Sequence, residues 1–213
     1  MSLLLRYFFY LFLIKPFVYL VMGLNIRNRR GLPKKGPAII VSNHNSHLDT
    51  MVLMSLLPTT LLNKTRPVAA ADYFLKTKLL SWFSRRVISI IPIDRGGVTK
   101  GKDPFELCQQ HLDKKGLLVL FPEGSRGEPE EMAHLKKGIA HLARNNPKIP
   151  VYPVFMHGLG KALPKGEFLP VPFIVDVFVG DPIYGNDDIQ QFMNQLKTEI
   201  DDLKSQLVIQ DWD

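Results

Sequence analysis

Apolar and polar residues follow one another along this chain in two rhythms. Short unbroken apolar runs at 38–41, 68–70, 87–93, 117–121, 151–155 and 173–179 have the length and β-branched content of buried strands. Between them lie stretches with helical spacing at 47–57, 74–86, 104–114 and 135–145. A last helix is predicted over 188–207. There Ile189, Phe192, Met193, Leu196, Ile200, Leu203 and Leu207 share one face, and Asn186 or Asp187 can cap the start. Strands alternating with helices predict an α/β fold: a single domain with a mostly parallel central sheet flanked by helices.

Residues 1–24 break this rhythm, because 19 of them are apolar. A bilayer-spanning helix needs roughly 20 such residues. Lys15-Pro16 falls near the middle, however, where a lysine is costly and a proline interrupts the backbone ladder. The pattern therefore predicts two short arms, 7–14 and 17–24, forming a re-entrant hairpin or an interfacial helix pair. The aromatics Tyr7, Phe8, Phe9, Tyr10, Phe12, Phe17 and Tyr19 exceed what a small core element usually holds. No convincing small-residue cleavage site favours a signal peptide. The basic run 27–35 follows at once and suits anionic headgroups. Residues 1–35 are read as a membrane-association segment and 36–213 as the domain that carries the chemistry. The expected location is the cytoplasmic face of the inner (cell) membrane.

Charge sharpens this division. The chain has 213 residues and a formal net charge of +7, with 46% hydrophobic and 22% charged residues, which excludes disorder and a polytopic membrane protein. Residues 1–48 hold seven basic side chains and no acidic one, whereas residues 167–213 hold two basic and ten acidic ones. A basic balance suits nucleic acid or an anionic membrane surface. Here the basic N-terminus is fused to an apolar aromatic stretch rather than interleaved with base-stacking positions, so the membrane is the expected partner and no nucleic acid is. The lone cysteine, Cys108, cannot form an internal disulfide.

Three polar clusters follow predicted strands, at the edge where open α/β sheets place their sites. The first is Ser42-Asn43-His44-Asn45-Ser46-His47-Leu48-Asp49. His44 and Asp49 are five apart, so a continuous helix would not put them on one face. A turn followed by a helix start can bring them together. The carboxylate would then accept from one ring nitrogen and leave the other as a base, and an unperturbed histidine titrates near 6.5. The second cluster is Phe121-Pro122-Glu123-Gly124-Ser125-Arg126-Gly127. Its glycines let backbone approach a ligand, while Arg126 offers a planar fork and Ser125 a hydroxyl suited to phosphate. The third, Ile91-Pro92-Ile93-Asp94-Arg95, ends a strand in a second arginine. It runs into 96–103, which departs from a nucleotide-cradling loop by placing Asp103 where a magnesium-binding hydroxyl belongs. His44, His47 and Asp49, with His157 as a distant fourth, include an H-x-x-H spacing, but no second cluster supports zinc.

Together these blocks resemble the glycerolipid acyltransferase family typified by 1-acylglycerol-3-phosphate acyltransferase. Its H-x4-D block corresponds to His44 through Asp49, and its F-P-E-G-[TS]-R block to Phe121 through Arg126. An apolar run ending in arginine matches 90–95, with Pro92 where phenylalanine is usual, and the V-x-P-V strand matches 151–154. The resemblance implies that His44 deprotonates an acceptor hydroxyl while Asp49 orients and stabilises it. It also implies that Arg95, Glu123, Gly124, Ser125 and Arg126 form the pocket for an acceptor's phosphate and glycerol. Glu123, being negative, is expected to hold an arginine or a glycerol hydroxyl rather than the phosphate. The implied donor is an acyl thioester, on coenzyme A or acyl carrier protein, with no cofactor and no metal. The implied acceptor is lysophosphatidic acid or a related lysolipid, in phospholipid biosynthesis. Glycerol 3-phosphate, another lysolipid, an intact phospholipid as donor, and a catalytically silent membrane-binding relative remain alternatives.

Overall fold

The chain begins as one uninterrupted helix in the computed structural model, which describes residues 2–94, 103–125, 132–163 and 171–207. An α-helical start, Ser2–Phe8 (α1), passes into π-helical turns at Phe9–Ile14 and Phe17–Val21. The break expected at Lys15-Pro16 does not occur. Proline lacks an N–H and its ring crowds the carbonyl four residues back. Wider turns, in which Lys15 N–H reaches the Tyr10 carbonyl and Met22 N–H the Phe17 carbonyl, carry the helix through that point. Tyr10, Val18 and Met22 form a buried stripe, while Leu4, Phe8, Phe12, Leu13 and Leu20 remain exposed.

The remaining elements follow in order. Gly23–Arg27 (β1) and Ala38–Ser42 (β2) precede helix Leu48–Leu56 (α2). Thr65–Ala70 (β3) runs into Ala71–Phe74 (α3) and Lys78–Phe83 (α4), then Ile91–Ile93 (β4) and Glu106–Asp113 (α5). Leu117–Leu120 (β5), Gly138–Asn145 (α6), Val151–His157 (β6), Leu159–Ala162 (α7), Ile174–Val179 (β7) and Ile189–Ser205 (α8) complete the described chain. The strands form one sheet in the order β1-β7-β6-β2-β5-β3-β4. All neighbours are parallel except β6 and β7, so the expected α/β architecture with a mostly parallel sheet is present.

Alternation along β2 shows how the sheet is covered. Ile39 and Val41 pack into a core with Cys108 and Leu112 of α5, Ile139 and Leu142 of α6, and Phe192 and Leu196 of α8. Ile40 points the other way, into a core with Val52 and Leu53 of α2 and with Tyr10 and Val18 of the N-terminal helix. Strands buried on both faces read as continuous apolar runs, which is why β2 and β5 stand out in the sequence.

Three local expectations change. The sheet begins at Gly23, inside the segment 1–35 read as membrane-associating, because β1 pairs with β7 in the register Gly23↔Ile174 to Arg27↔Phe178. The apolar run at 87–93 is a strand only from Ile91. Ser84–Ile88 continues α4 as a π-helical turn that ends at Ser89, in the left-handed region at φ 62°. The cap of α8 is Asp188, whose Oδ1 accepts from the N–H groups of Gln190 and Gln191 at 2.8 and 3.0 Å.

Candidate active site

The parallel pairing of β2 with β5, Val41 beside Leu120, makes the chain leave both strands at the same edge. Two motifs far apart in sequence thus emerge side by side. On the other flank, Asn43 extends the β2–β6 ladder with its side chain. Its Nδ2 donates to the Met156 carbonyl at 2.8 Å, and its Oδ1 accepts from the Met156 N–H at 2.8 Å. A side chain imitating a backbone pair holds the turn at the sheet's carboxyl edge.

That turn brings His44 and Asp49 together, with Nδ1 of His44 2.9 Å from Oδ2 of Asp49. The same oxygen accepts from the N–H groups of Asn45 at 2.7 Å and Ser46 at 2.9 Å. Because Oδ2 already receives two N–H groups, it acts as acceptor toward the imidazole. The proton therefore sits on Nδ1, and the lone pair is left on Nε2. Burial pushes the Asp49 carboxyl up, while His44 and the two amides pull it back. The His44 ring stacks on Phe121, centroids 4.2 Å apart and 23° from parallel, which fixes its plane.

Glu123 takes a different position from the one expected. Its Oε1 accepts from the backbone N–H of His44 at 2.7 Å and its Oε2 from that of Ala133 at 2.8 Å. Both oxygens thus clamp backbone, tying the β2 turn to the segment after 131, and the side chain is buried. Burial pushes its carboxyl above the ordinary range, against the Ala133 and His44 amides. Glu123→Gln is expected to cost about 1–3 kcal/mol, because an amide NH2 must face one of two N–H donors. The pH dependence has a defined sign. The folded state holds the Glu123 proton more tightly than the unfolded chain, so the wild type loses stability as pH rises out of the ordinary carboxylate range. Chemical denaturation from about pH 5 to 8 should show a shallower loss in the variant.

Gly124 sits at φ +73°, a conformation in which a Cβ is strained. A Cβ there would also lie 2.8 Å from Nζ of Lys136, so the glycine admits an ammonium against the loop. Lys136 is held in this position by its own N–H, which donates to the Pro122 carbonyl at 2.9 Å. The helix expected over 135–145 includes position 136, but α6 starts only at Gly138, and nothing local in the sequence marks Lys136. Ser125 is exposed beside Gly124. Arg95, Arg126 and the glycine-rich stretch 96–102 lie outside the described residues. His47 meets α3, its Nε2 3.0 Å from the Tyr73 hydroxyl. Among the described residues no three His, Cys, Asp or Glu side chains form a metal-binding group.

A three-layer α/β domain that presents a histidine–aspartate pair beside an F-P-E-G-S loop has the make-up of a glycerolipid acyltransferase. Residues 23–157, more than half of the chain, match the family model described as Acyltransferase, and the chain belongs to that family. It is 28% identical over 171 residues to the chloroplastic 1-acyl-sn-glycerol-3-phosphate acyltransferase of Arabidopsis thaliana, covering 79% of this chain and 46% of that protein. It is 30% identical over 205 residues to tafazzin of Drosophila melanogaster, covering 88% and 50%. The chain thus spans about half the length of these curated relatives. The fold is similar to that of the 1-acyl-sn-glycerophosphate acyltransferase of Thermotoga maritima, with a TM-score of 0.72 at 18% identity over 92% of this chain and 80% of that one.

Proposed function

We propose that the protein moves a fatty acyl group from an acyl thioester, on coenzyme A or acyl carrier protein, to a hydroxyl of lysophosphatidic acid or a related lysolipid. The observation that carries this is the His44–Asp49 pair, with Nδ1 engaged and Nε2 left for a substrate proton. In the proposed step Nε2 takes the acceptor's hydroxyl proton as its oxygen attacks the thioester carbonyl. Asp49 steadies the imidazolium that forms. The carbon–sulfur bond then breaks, and the thiolate leaves with the proton held by His44. The transfer is direct, without a covalent acyl-enzyme, and asks nothing of a metal or cofactor.

A long-chain acceptor stays in its bilayer, at roughly 0.8 kcal/mol per buried methylene, so the enzyme must reach the membrane. The helix Leu3–Val21 is long and apolar enough to cross one by length and composition, but its buried stripe binds it along the domain. We read it as lying in the interface on the cytoplasmic side, with its exposed apolar face toward lipid. The test is an acyl-transfer assay on purified protein, pairing a panel of lysolipids with acyl-CoA and acyl carrier protein donors. Ester formed on lysophosphatidic acid supports the proposal; no ester with any acceptor overturns it.

Lys136, whose ammonium lies against Gly124, supplies a cation for the acceptor's phosphate. A charge-assisted hydrogen bond is worth about 1.5–3 kcal/mol, so Lys136→Met should raise KM for phosphorylated acceptors about 10–100-fold with little change in kcat. Monoacylglycerol, which lacks the phosphate, should show no such rise. Equal effects on both acceptors would remove Lys136 from this role.

A further inference from the structure

Helix α4 is apolar on two faces, and the domain buries only one of them. Phe83 turns inward with Val87, its ring meeting Phe9 of the N-terminal helix edge-on at 5.4 Å. Leu79 and Trp82, three apart and therefore on one face, turn outward with 76% and 50% of their surface exposed. Around them Lys76, Lys78, Arg85 and Arg86 are also exposed. No acidic residue lies between Asp72 and Asp94 in the sequence. An exposed tryptophan and leucine flanked along the chain by four exposed cations, with no carboxylate in the same stretch, match the chemistry of an anionic bilayer surface. Indole is favoured at the headgroup level, and lysine and arginine find lipid phosphates there.

We propose that the outer face of α4 is a second bilayer contact, inserting Leu79 and Trp82 among the headgroups of anionic phospholipids. The proposal rests on the reading of the N-terminal helix as membrane-bound. The two exposed apolar faces belong to helices that touch through Phe9 and Phe83, so one surface can engage both. Two contacts on different elements hold the domain's orientation on the bilayer more firmly than one helix face alone. The orientation has a use. Helix α4 follows α3, whose Tyr73 meets His47 at the edge that carries His44, so a lysolipid can reach the base with its chain still in the bilayer.

Trp82 reports on this directly. The sequence holds two tryptophans, and Trp212→Phe leaves Trp82 alone. The full-length variant is mixed with vesicles of phosphatidylcholine and phosphatidylglycerol at 3:1, with and without brominated phosphatidylcholine, and binding is followed by flotation. The expected result is a blue shift of Trp82 emission on binding and quenching by the brominated lipid. Adding Leu79→Ser should weaken vesicle partitioning about tenfold with unchanged circular dichroism. Protein that floats with vesicles while Trp82 emission stays aqueous and unquenched overturns the second contact alone. Emission already blue-shifted without vesicles, in a species that sedimentation shows to be a dimer, overturns it in favour of a second copy. Failure of the wild type to float overturns the membrane reading along with it. Absence of acyl transfer would leave these measurements unchanged, because none of them depends on turnover.

Discussion

Replacing His44 with alanine is expected to lower acyl transfer by about 10²–10⁴, the usual worth of a positioned general base. The loss should fall on kcat, with KM for either substrate little changed, since no other described side chain is placed to take the hydroxyl proton from the same position. Stability should change by only about 1 kcal/mol. The ring is partly exposed, and its removal leaves Asp49 still accepting from the amides of Asn45 and Ser46. Vesicle binding should persist, because the exposed apolar face of the N-terminal helix is untouched. Turnover and a melting curve on the same sample decide the matter. Near-normal kcat in a folded variant would sink the base mechanism.

Besides its bond to Asp49, the position of His44 is set from three directions, none of which involves substrate. Asn43 pairs with Met156 on the β6 side, Glu123 takes the His44 amide on the β5 side, and Phe121 stacks on the ring. Each contact comes from a neighbouring strand end, so the parallel order β6-β2-β5 is itself what places the His44 ring. A base held by backbone and packing is oriented before substrate arrives, which spares the reaction the entropy of ordering it. Glu123 belongs to this frame through both of its oxygens. Its two carboxylate oxygens suit two N–H donors that face each other across a gap between loops.

Much of this frame was legible from residue order. Strands β2 and β5 are buried on both faces and read as apolar runs, and α8 shows its buried stripe at helical spacing. The pairing of His44 with Asp49 could be anticipated, since five residues with cap-forming side chains suit a turn into a helix. What escaped the sequence depends on partners distant along the chain. Strand β1 alternates between exposed and half-buried positions and is defined by β7, yet it sits between an apolar and a basic run that mask it. Ser84–Ile88 carries β-branched residues in a helical turn, because burial of Val87 and Ile88 outweighs their strand propensity. The backbone clamp by Glu123 and the placement of Lys136 both rest on the 132–136 segment folding back over the loop, and no local pattern encodes that.

Asp49 should separate charge from geometry when replaced in two ways. In Asp49→Ala, three N–H donors that shared Oδ2 lose their acceptor inside a buried turn. Each orphaned donor costs about 1–3 kcal/mol, offset in part by removing a buried carboxylate, so a net loss of about 3 kcal/mol is expected. That corresponds to roughly 6–12 °C in Tm for a chain of this size. Activity should fall toward the level of His44→Ala but not below it, since the base remains while the turn that aims it is loosened. Asp49→Asn behaves differently, because the two oxygens of Asp49 are not equivalent: Oδ2 accepts all three bonds, while Oδ1 is buried with no partner. The asparagine oxygen must therefore take the Oδ2 position to keep both backbone amides satisfied. It then accepts from Nδ1 too, so the tautomer with a free Nε2 survives, and only the negative charge is lost. The imidazolium formed during transfer loses its counter-charge, and kcat should fall by about 10²–10³, the cost of roughly 3–4 kcal/mol in transition-state stabilisation. Stability should drop by about 1–3 kcal/mol, because the amide NH2 now lies where no acceptor meets it. Turnover and thermal melts of both variants test the asymmetry. If Asp49→Asn proves as inactive and as unstable as Asp49→Ala, the turn depends on the charge itself and not on the single shared oxygen.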